Sequence, residues 1–220
     1  MDIIALQGKV HEKLFAKLCA LPFQKLRPSQ EKALGAGLLE RKNILICTPT
    51  GSGKTLAAEM AALNAIYRKQ GKAVYIVPLK ALATEKYKDF QRKYPDIKIA
   101  LSIGDMDAAD HMLATYDLII TVSEKLDSLL RHHCPWLKDV SVVIVDEIHL
   151  LHDPSRGPTL EVVLTILRKL LKNIQIIALS ATIGNPCELA LWLDAALVED
   201  SWRPVELHHG IYHDGKVEFY

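Results

Sequence analysis

The chain has 220 residues, half of them hydrophobic, with 27 Lys and Arg against 26 Asp and Glu and a formal net charge of +1. That length and apolar content suit one large α/β domain with a core on both faces of a sheet, and not two full domains. The near-neutral balance excludes a chain that grips nucleic acid by bulk charge, so any such contact has to be local.

Asn43-Ile44-Leu45-Ile46-Cys47 reads as a buried strand, and it runs straight into Thr48-Pro49-Thr50-Gly51-Ser52-Gly53-Lys54-Thr55. A strand feeding a glycine-rich loop that ends in Lys-Thr predicts a cradle for a nucleoside triphosphate. Gly lets backbone N–H groups turn inward, Lys54 reaches the β- and γ-phosphates, and Thr55 offers a hydroxyl to Mg²⁺ at a helix N-terminus. The usual pattern is G-x-x-x-x-G-K-[ST], and here Thr48 replaces the first Gly. Leu56, Met60, Leu63 and Tyr67 then recur at helical spacing, supplying the helix the loop requires.

Continuous apolar runs follow at 73–77, 97–101, 117–122, 141–145 and 174–179, as expected of parallel strands buried on both faces. Leu160, Val163, Leu164, Leu167, Leu170 and Leu171 trace one face of a helix. Asn185-Pro186-Cys187-Glu188 supplies an N-cap, a first-turn proline and an acid for another. Alternating strands and helices predict an α/β fold, a mostly parallel open sheet with helices on both faces and ligands at the carboxyl ends of its strands.

The run 141–145 ends in Asp146-Glu147-Ile148-His149. Two carboxylates opposite a phosphate loop suit Mg²⁺-dependent phosphate hydrolysis, with Asp146 toward the metal and Glu147 orienting and deprotonating water. An isolated Asp-Glu pair would read as a helix cap; the upstream phosphate loop turns the reading toward catalysis.

Beyond Arg203-Pro204 the pattern changes. Val205, Leu207, His209 and Ile211 alternate with polar residues, and Asp214-Gly215 predicts a hairpin turn before Val217-Glu218-Phe219-Tyr220. The chain therefore divides into a domain over 1–203 and an extended hairpin segment over 204–220. It ends inside a predicted strand, so further polypeptide is expected.

Cys19, Cys47, Cys134 and Cys187 form no C-x-x-C pair and are expected to be reduced core thiols of a cytoplasmic protein. His132-His133-Cys134 lacks the second spaced ligand pair that a zinc site needs. With no leader-like amino terminus and no apolar run of bilayer length, no membrane association is expected.

Taken together, the motifs resemble the first RecA-like lobe of superfamily 2 helicases. Residues 48–55 are similar to motif I and Asp146-Glu147-Ile148-His149 to the DExH box. Leu26-Arg27-Pro28-Ser29-Gln30 resembles the Q motif, Pro78-Leu79-Lys80-Ala81-Leu82 motif Ia, Thr121-Val122-Ser123-Glu124-Lys125 motif Ib, and Ser180-Ala181-Thr182 motif III. Ser123 to Arg131, Asp146 to Leu151, Arg156 to Glu161 and Leu179 to Asn185 narrow the likeness to the Ski-like branch. Within it they resemble most the archaeal ATP-dependent DNA helicases that act at stalled replication forks. The Q-like segment departs from a Leu-Tyr-Pro-Pro-Gln-like form and loses an aromatic contact.

The resemblance implies that Thr48, Pro49, Thr50, Gly51, Ser52, Gly53, Lys54 and Thr55 hold ATP while Gln30 reads the adenine edge. It implies Lys54, Asp146 and Glu147 as catalytic residues, Thr55 and Asp146 as Mg²⁺ ligands, and His149, Ser180 and Thr182 as the link between hydrolysis and lobe movement. Lys80, Ala81, Leu82, Thr121, Ser123 and Lys125 would touch a nucleic-acid backbone without reading bases. The implied partners are single-stranded or forked DNA and, in the same polypeptide, accessory domains and a second RecA-like lobe carrying the arginine finger. A monomer is expected, and a lone lobe should hydrolyse ATP barely or not at all. An RNA helicase of the same branch and a non-motor nucleotide-binding module are the alternatives; an ATP-driven nuclease subunit finds no second carboxylate and lysine cluster.

Overall fold

The computed structural model describes residues 1–104, 108–208 and 210–219 and, within them, all side chains but those of 108–111. One parallel sheet is built from β1 (Ile44–Cys47), β2 (Lys72–Ile76), β3 (Ile99–Ser102), β4 (Leu118–Thr121), β5 (Val140–Val145), β6 (Gln175–Ser180) and β7 (Ala196–Glu199). Their spatial order is β3-β4-β2-β5-β6-β1-β7. The helices are α1 (Glu12–Cys19), α2 (Pro28–Gly35), α3 (Lys54–Tyr67), α4 (Lys80–Lys93), α5 (Ser123–Arg131), α6 (Gly157–Leu170) and α7 (Pro186–Leu193). This is the expected RecA-like α/β architecture.

Period-2 alternation along each central strand divides the core into two layers. Ala73 and Tyr75 of β2, Val142 and Ile144 of β5, and Ile177 and Leu179 of β6 face α1 to α4. Val74, Ile76, Val143, Val145, Ile176 and Ala178 face α5 to α7. Both faces of the central strands are thus dry, which is why their sequences are unbroken apolar runs. At the amino-terminal edge, Arg41 donates to the carbonyls of Ser141 at 3.1 Å and Asn173 at 2.7 Å, tying the starts of β5 and β6 together.

The structure corrects several expectations. Strand β7 was not anticipated: it is short, pairs with β1 at the sheet edge, and is flanked by charges. On α6 the fully buried face ends at Leu167; Leu170, the helix's last residue, is 64% exposed, while Leu171 still packs partly against the core. Two of the four thiols, Cys19 and Cys187, are exposed, and only Cys47 and Cys134 belong to the core. Both exposed cysteines lie on helix faces turned away from the sheet.

A separate antiparallel hairpin pairs β8 (Gly210–His213) with β9 (Lys216–Phe219). Its turn residues Asp214 and Gly215 both have positive φ, as a two-residue hairpin loop demands. Val205 and Leu207 belong to no strand; among the described residues the pairing begins at Gly210 opposite Phe219. His209 and Tyr220 lie outside the described residues. Among the described residues no helix is long and apolar enough to cross a membrane.

Candidate functional site

The loop after β1 is closed by its own polar groups. Thr48 and Ser52 share a hydrogen bond of 2.7 Å between their hydroxyls, the Ser52 N–H donates to the Pro49 carbonyl, and the Thr48 N–H donates to the Ser180 carbonyl at the end of β6. Helix α2 props the loop from outside. Ser29 donates its hydroxyl to the Ser52 carbonyl at 3.0 Å, the Gln30 side-chain amide donates to the Gly53 carbonyl at 2.9 Å, and the Arg27 guanidinium donates to the Gly51 carbonyl. Gly53 has φ +92°, and a Cβ there would sit 2.4 Å from the Gln30 amide nitrogen; only glycine fits both constraints. Thr50 and Gly51 are exposed at the loop tip, and Thr55 is half-buried in the first turn of α3.

Lys54 folds back so that Nζ donates to the Thr48 carbonyl at 3.0 Å. Burial lowers the pKa of this ammonium, and the negative charges of Glu147 and Asp146 oppose that shift. The phosphate loop and the carboxylate pair follow β1 and β5, at the carboxyl ends of two strands with β6 between them.

Asp146 continues β5, its N–H donating to the Ile76 carbonyl. Its Oδ2 accepts from the Tyr75 hydroxyl at 2.9 Å and lies 3.5 Å from Lys86 Nζ. Burial, with the adjacent Asp146 charge, pushes the Tyr75 phenol well above its ordinary value, so tyrosine stays the donor. Glu147 adopts the left-handed region at φ +51°, a costly conformation for a residue with a Cβ and one that recurs at active sites. It turns the chain into the 3₁₀ segment Ile148–His152.

His149 Nδ1 stands 3.3 Å from Glu147 Oε2 but outside hydrogen-bond geometry. The fully buried Ser180 hydroxyl likewise lacks a strong partner; its neighbour across the β1–β6 pairing is the Cys47 thiol, a weak hydrogen-bonding group. Thr182 is exposed beyond it.

Lys80, Ala81 and Leu82 form the exposed first turn of α4. Thr121, Ser123 and Lys125 depart from the surface position expected of them. Thr121 is fully buried and donates its hydroxyl to the Ser102 carbonyl at 2.7 Å, and Ser123 and Lys125 are also buried where α5 packs on the sheet. Lys80 and Lys125 nonetheless line one cavity of about 320 Å³ together with Gly104 and Val122. A second cavity, about 430 Å³, opens beside Gln30, Gly53 and Thr55 and is walled by Leu21, Phe23 and Leu56.

Sequence reasoning passed over Tyr75, Lys86, Arg27 and Trp202. Tyr75 reads as one more apolar strand residue and Lys86 as a surface lysine. Arg27 shows itself only through its place beside Gln30, and Trp202 carries no motif.

The family model for DEAD/DEAH box helicases matches residues 27–189. The chain is 53% identical over 204 residues to the ATP-dependent DNA helicase Hel308 of Methanococcus vannielii, covering 89% of this chain and 27% of that protein. It is 57% identical over 202 residues to the Hel308 of Methanocaldococcus jannaschii, covering 88% and 17%. The solved structure of Mycobacterium smegmatis helicase Lhr bound to ssDNA and AMP-PNP matches with a TM-score of 0.76 at 29% identity, covering 91% of this chain and 28% of that one. Helicase MrfA bound to DNA matches with a TM-score of 0.74 at 27% identity, covering 88% and 30%. The chain spans less than a third of the length of each of these relatives.

Proposed function

Since the chain belongs to the DEAD/DEAH box helicase family, we propose that it is the first ATPase lobe of a DNA helicase, coupling ATP hydrolysis to movement on single-stranded DNA and to the opening of forked or branched DNA. The observation that carries this reading is the placement of a glycine-rich phosphate loop after β1 and of the Asp146-Glu147 pair after β5, at the carboxyl ends of two strands with one strand between them. The Hel308 relatives are DNA helicases by name, and the Lhr and MrfA structures hold DNA.

In this reading the backbone amides of residues 50–55 surround the β- and γ-phosphates, aided by the amino-terminal end of α3. Lys54 exchanges its Thr48 carbonyl for a phosphate oxygen. Thr55 and Asp146 form an all-oxygen donor set of the kind Mg²⁺ selects, and Mg²⁺, when bound, neutralises charge on the phosphates. Glu147 orients a water in line with the γ-phosphorus and accepts its proton. Gln30 holds Gly53 in place and turns toward the cavity walled by Leu21, Phe23 and Leu56, where adenine is taken to lie. The exposed turn of Lys80, Ala81 and Leu82 meets DNA phosphates, which gives contact without base reading. Thr121, Ser123 and Lys125 support the adjoining cavity, and Ser180, Thr182 and His149 carry the state of the phosphate site to that face.

Residues 1–203 form this lobe and 204–220 lead toward a second lobe that supplies an arginine finger, worth about 10³ to 10⁵ in turnover in P-loop enzymes. Steady-state ATPase, measured on this chain and on a longer form carrying the second lobe, tests the reading. Weak nucleotide binding without turnover is expected from the first, and turnover stimulated more by single-stranded DNA than by RNA from the second. Robust DNA-stimulated hydrolysis by the 220-residue chain would show the division of labour to be wrong.

A further inference from the structure

Two side chains outside every helicase-like motif converge on Asp146. Tyr75, fully buried in β2, reaches Oδ2 with its hydroxyl at 2.9 Å. Lys86 reaches the same oxygen from α4 at 3.5 Å, its ammonium 5.1 Å from the centre of the Tyr75 ring. Because both contacts fall on Oδ2, Oδ1 is the oxygen left for a cation.

The two contacts differ in kind. A phenol fixed inside the sheet cannot follow the carboxylate if it turns, so it holds the plane of the group. The lysine stem is long and 21% exposed, and it lines, with Asp146, Glu147 and Pro78, an open cavity of about 440 Å³. Its ammonium can therefore move out into water without being stranded as a buried charge. While in place it repels any divalent cation approaching the same carboxylate. Lys86 also belongs to the helix that begins with Lys80, Ala81 and Leu82, so one rigid element joins the exposed first turn to the carboxylate.

We propose that Tyr75 and Lys86 are positioning residues for Asp146: Tyr75 fixes the carboxylate, and Lys86 is a removable countercharge that Mg²⁺ replaces. The proposal rests on the reading of Asp146 as the metal-side carboxylate.

The test titrates Mg²⁺ into the 220-residue chain holding a fluorescent, non-hydrolysable ATP analogue, and follows binding instead of turnover. Asp146→Asn should abolish the enhancement of nucleotide binding by Mg²⁺. Tyr75→Phe, which keeps the ring and removes only the hydroxyl, should raise the half-saturating Mg²⁺ about tenfold while leaving metal-free nucleotide binding unchanged. Lys86→Met should lower it about threefold, and Lys86→Arg should restore the wild-type value. If Asp146→Asn acts as expected and the other variants do not shift in these opposite directions, this inference fails and the site reading stands. If Asp146→Asn changes nothing, the site reading fails and the inference with it. Should Tyr75→Phe lose its cooperative melt, the Lys86→Met and Lys86→Arg pair decides alone.

Discussion

The Trp202 ring lies over the Arg27 guanidinium at 5.7 Å, and that guanidinium donates to the Gly51 carbonyl at the tip of the phosphate loop. The segment that leaves β7 is thereby fastened across α2 and the loop. Lys32 strengthens the attachment, its ammonium 2.8 Å from both the Asp200 carboxylate and the Glu199 carbonyl. Pro204 rests against the Gly51 backbone, 3.6 Å from where a Cβ would stand. Phosphates entering the loop would have to draw Gly51, and with it Arg27, into a new arrangement. Indole emission should therefore shift when a nucleotide is added to the wild-type chain, and the shift should vanish in Trp202→Phe. It should persist in Trp136→Phe and Trp192→Phe, because Trp136 is buried in the other core layer and Trp192 packs at the far end of α7. Equal signals from all three variants would detach Trp202 from the loop.

Replacing Lys54 by Met should abolish nucleotide binding and at the same time make the chain more stable. Burial lowers the pKa of this lysine despite the carboxylates nearby, so its charge costs stability at neutral pH. That cost is relieved as the pH rises from the lowered folded-state value toward the ordinary one. The gain reads as a raised melting midpoint, each kcal/mol being worth roughly 2 to 4 °C in a domain of this size. Thermal melts at neutral pH check it, and a lowered midpoint would mean that the attraction of Asp146 and Glu147 outweighs desolvation.

Thiol labelling of the native chain at pH 8 should modify Cys19 and Cys187 rapidly and leave Cys47 and Cys134 intact until the chain is unfolded. Burial pushes the Cys47 thiol up to about 11, and the thiolate is the reactive form. A raised thiol value also means that the folded state holds its proton more tightly than the unfolded chain. This contribution to stability is complete at neutral pH and fades as the pH climbs from 9 toward 11. Mass spectrometry of labelled peptides reads the first effect.

Gly157 opens α6, and a Cβ there would sit 2.0 Å from the Leu151 carbonyl oxygen. Gly157→Ala should cost about 3 kcal/mol in urea denaturation, since backbone on both sides must separate to admit one methyl group. The displaced segment is the 3₁₀ turn after Glu147, so nucleotide binding should weaken in the folded fraction as well. An unchanged midpoint would show that the turn yields freely.

The sheet and the phosphate loop were legible because each rests on local chemistry: unbroken apolar runs for strands buried on both faces, and glycine with lysine where backbone must meet phosphate. Gln30 was found by its motif, although its bond to the Gly53 carbonyl depends on how α2 packs. What escaped is what the fold alone brings together. Tyr75 and Asp146 are 71 residues apart, and nothing in an apolar run marks which tyrosine lies beside a carboxylate on a strand that comes three strands later in the chain. Thr121, Ser123 and Lys125 looked like surface because polar residues usually are; their burial follows from α5 seating its first turn against β4. Strand β7 was missed since four residues at a sheet edge carry too little pattern to separate them from a loop.

The interposition of β6 between β1 and β5 sets the scale of the cleft. Neighbouring strands lie about 4.8 Å apart, so two intervals put the phosphate loop and the carboxylate pair about 10 Å from each other at their roots. Laid side by side, those strands would leave no berth for a chain of phosphates. Ser180, fully buried at the tip of the spacer strand, fastens the start of the phosphate loop by accepting the Thr48 N–H with its carbonyl, so the spacer also sets the height of that berth.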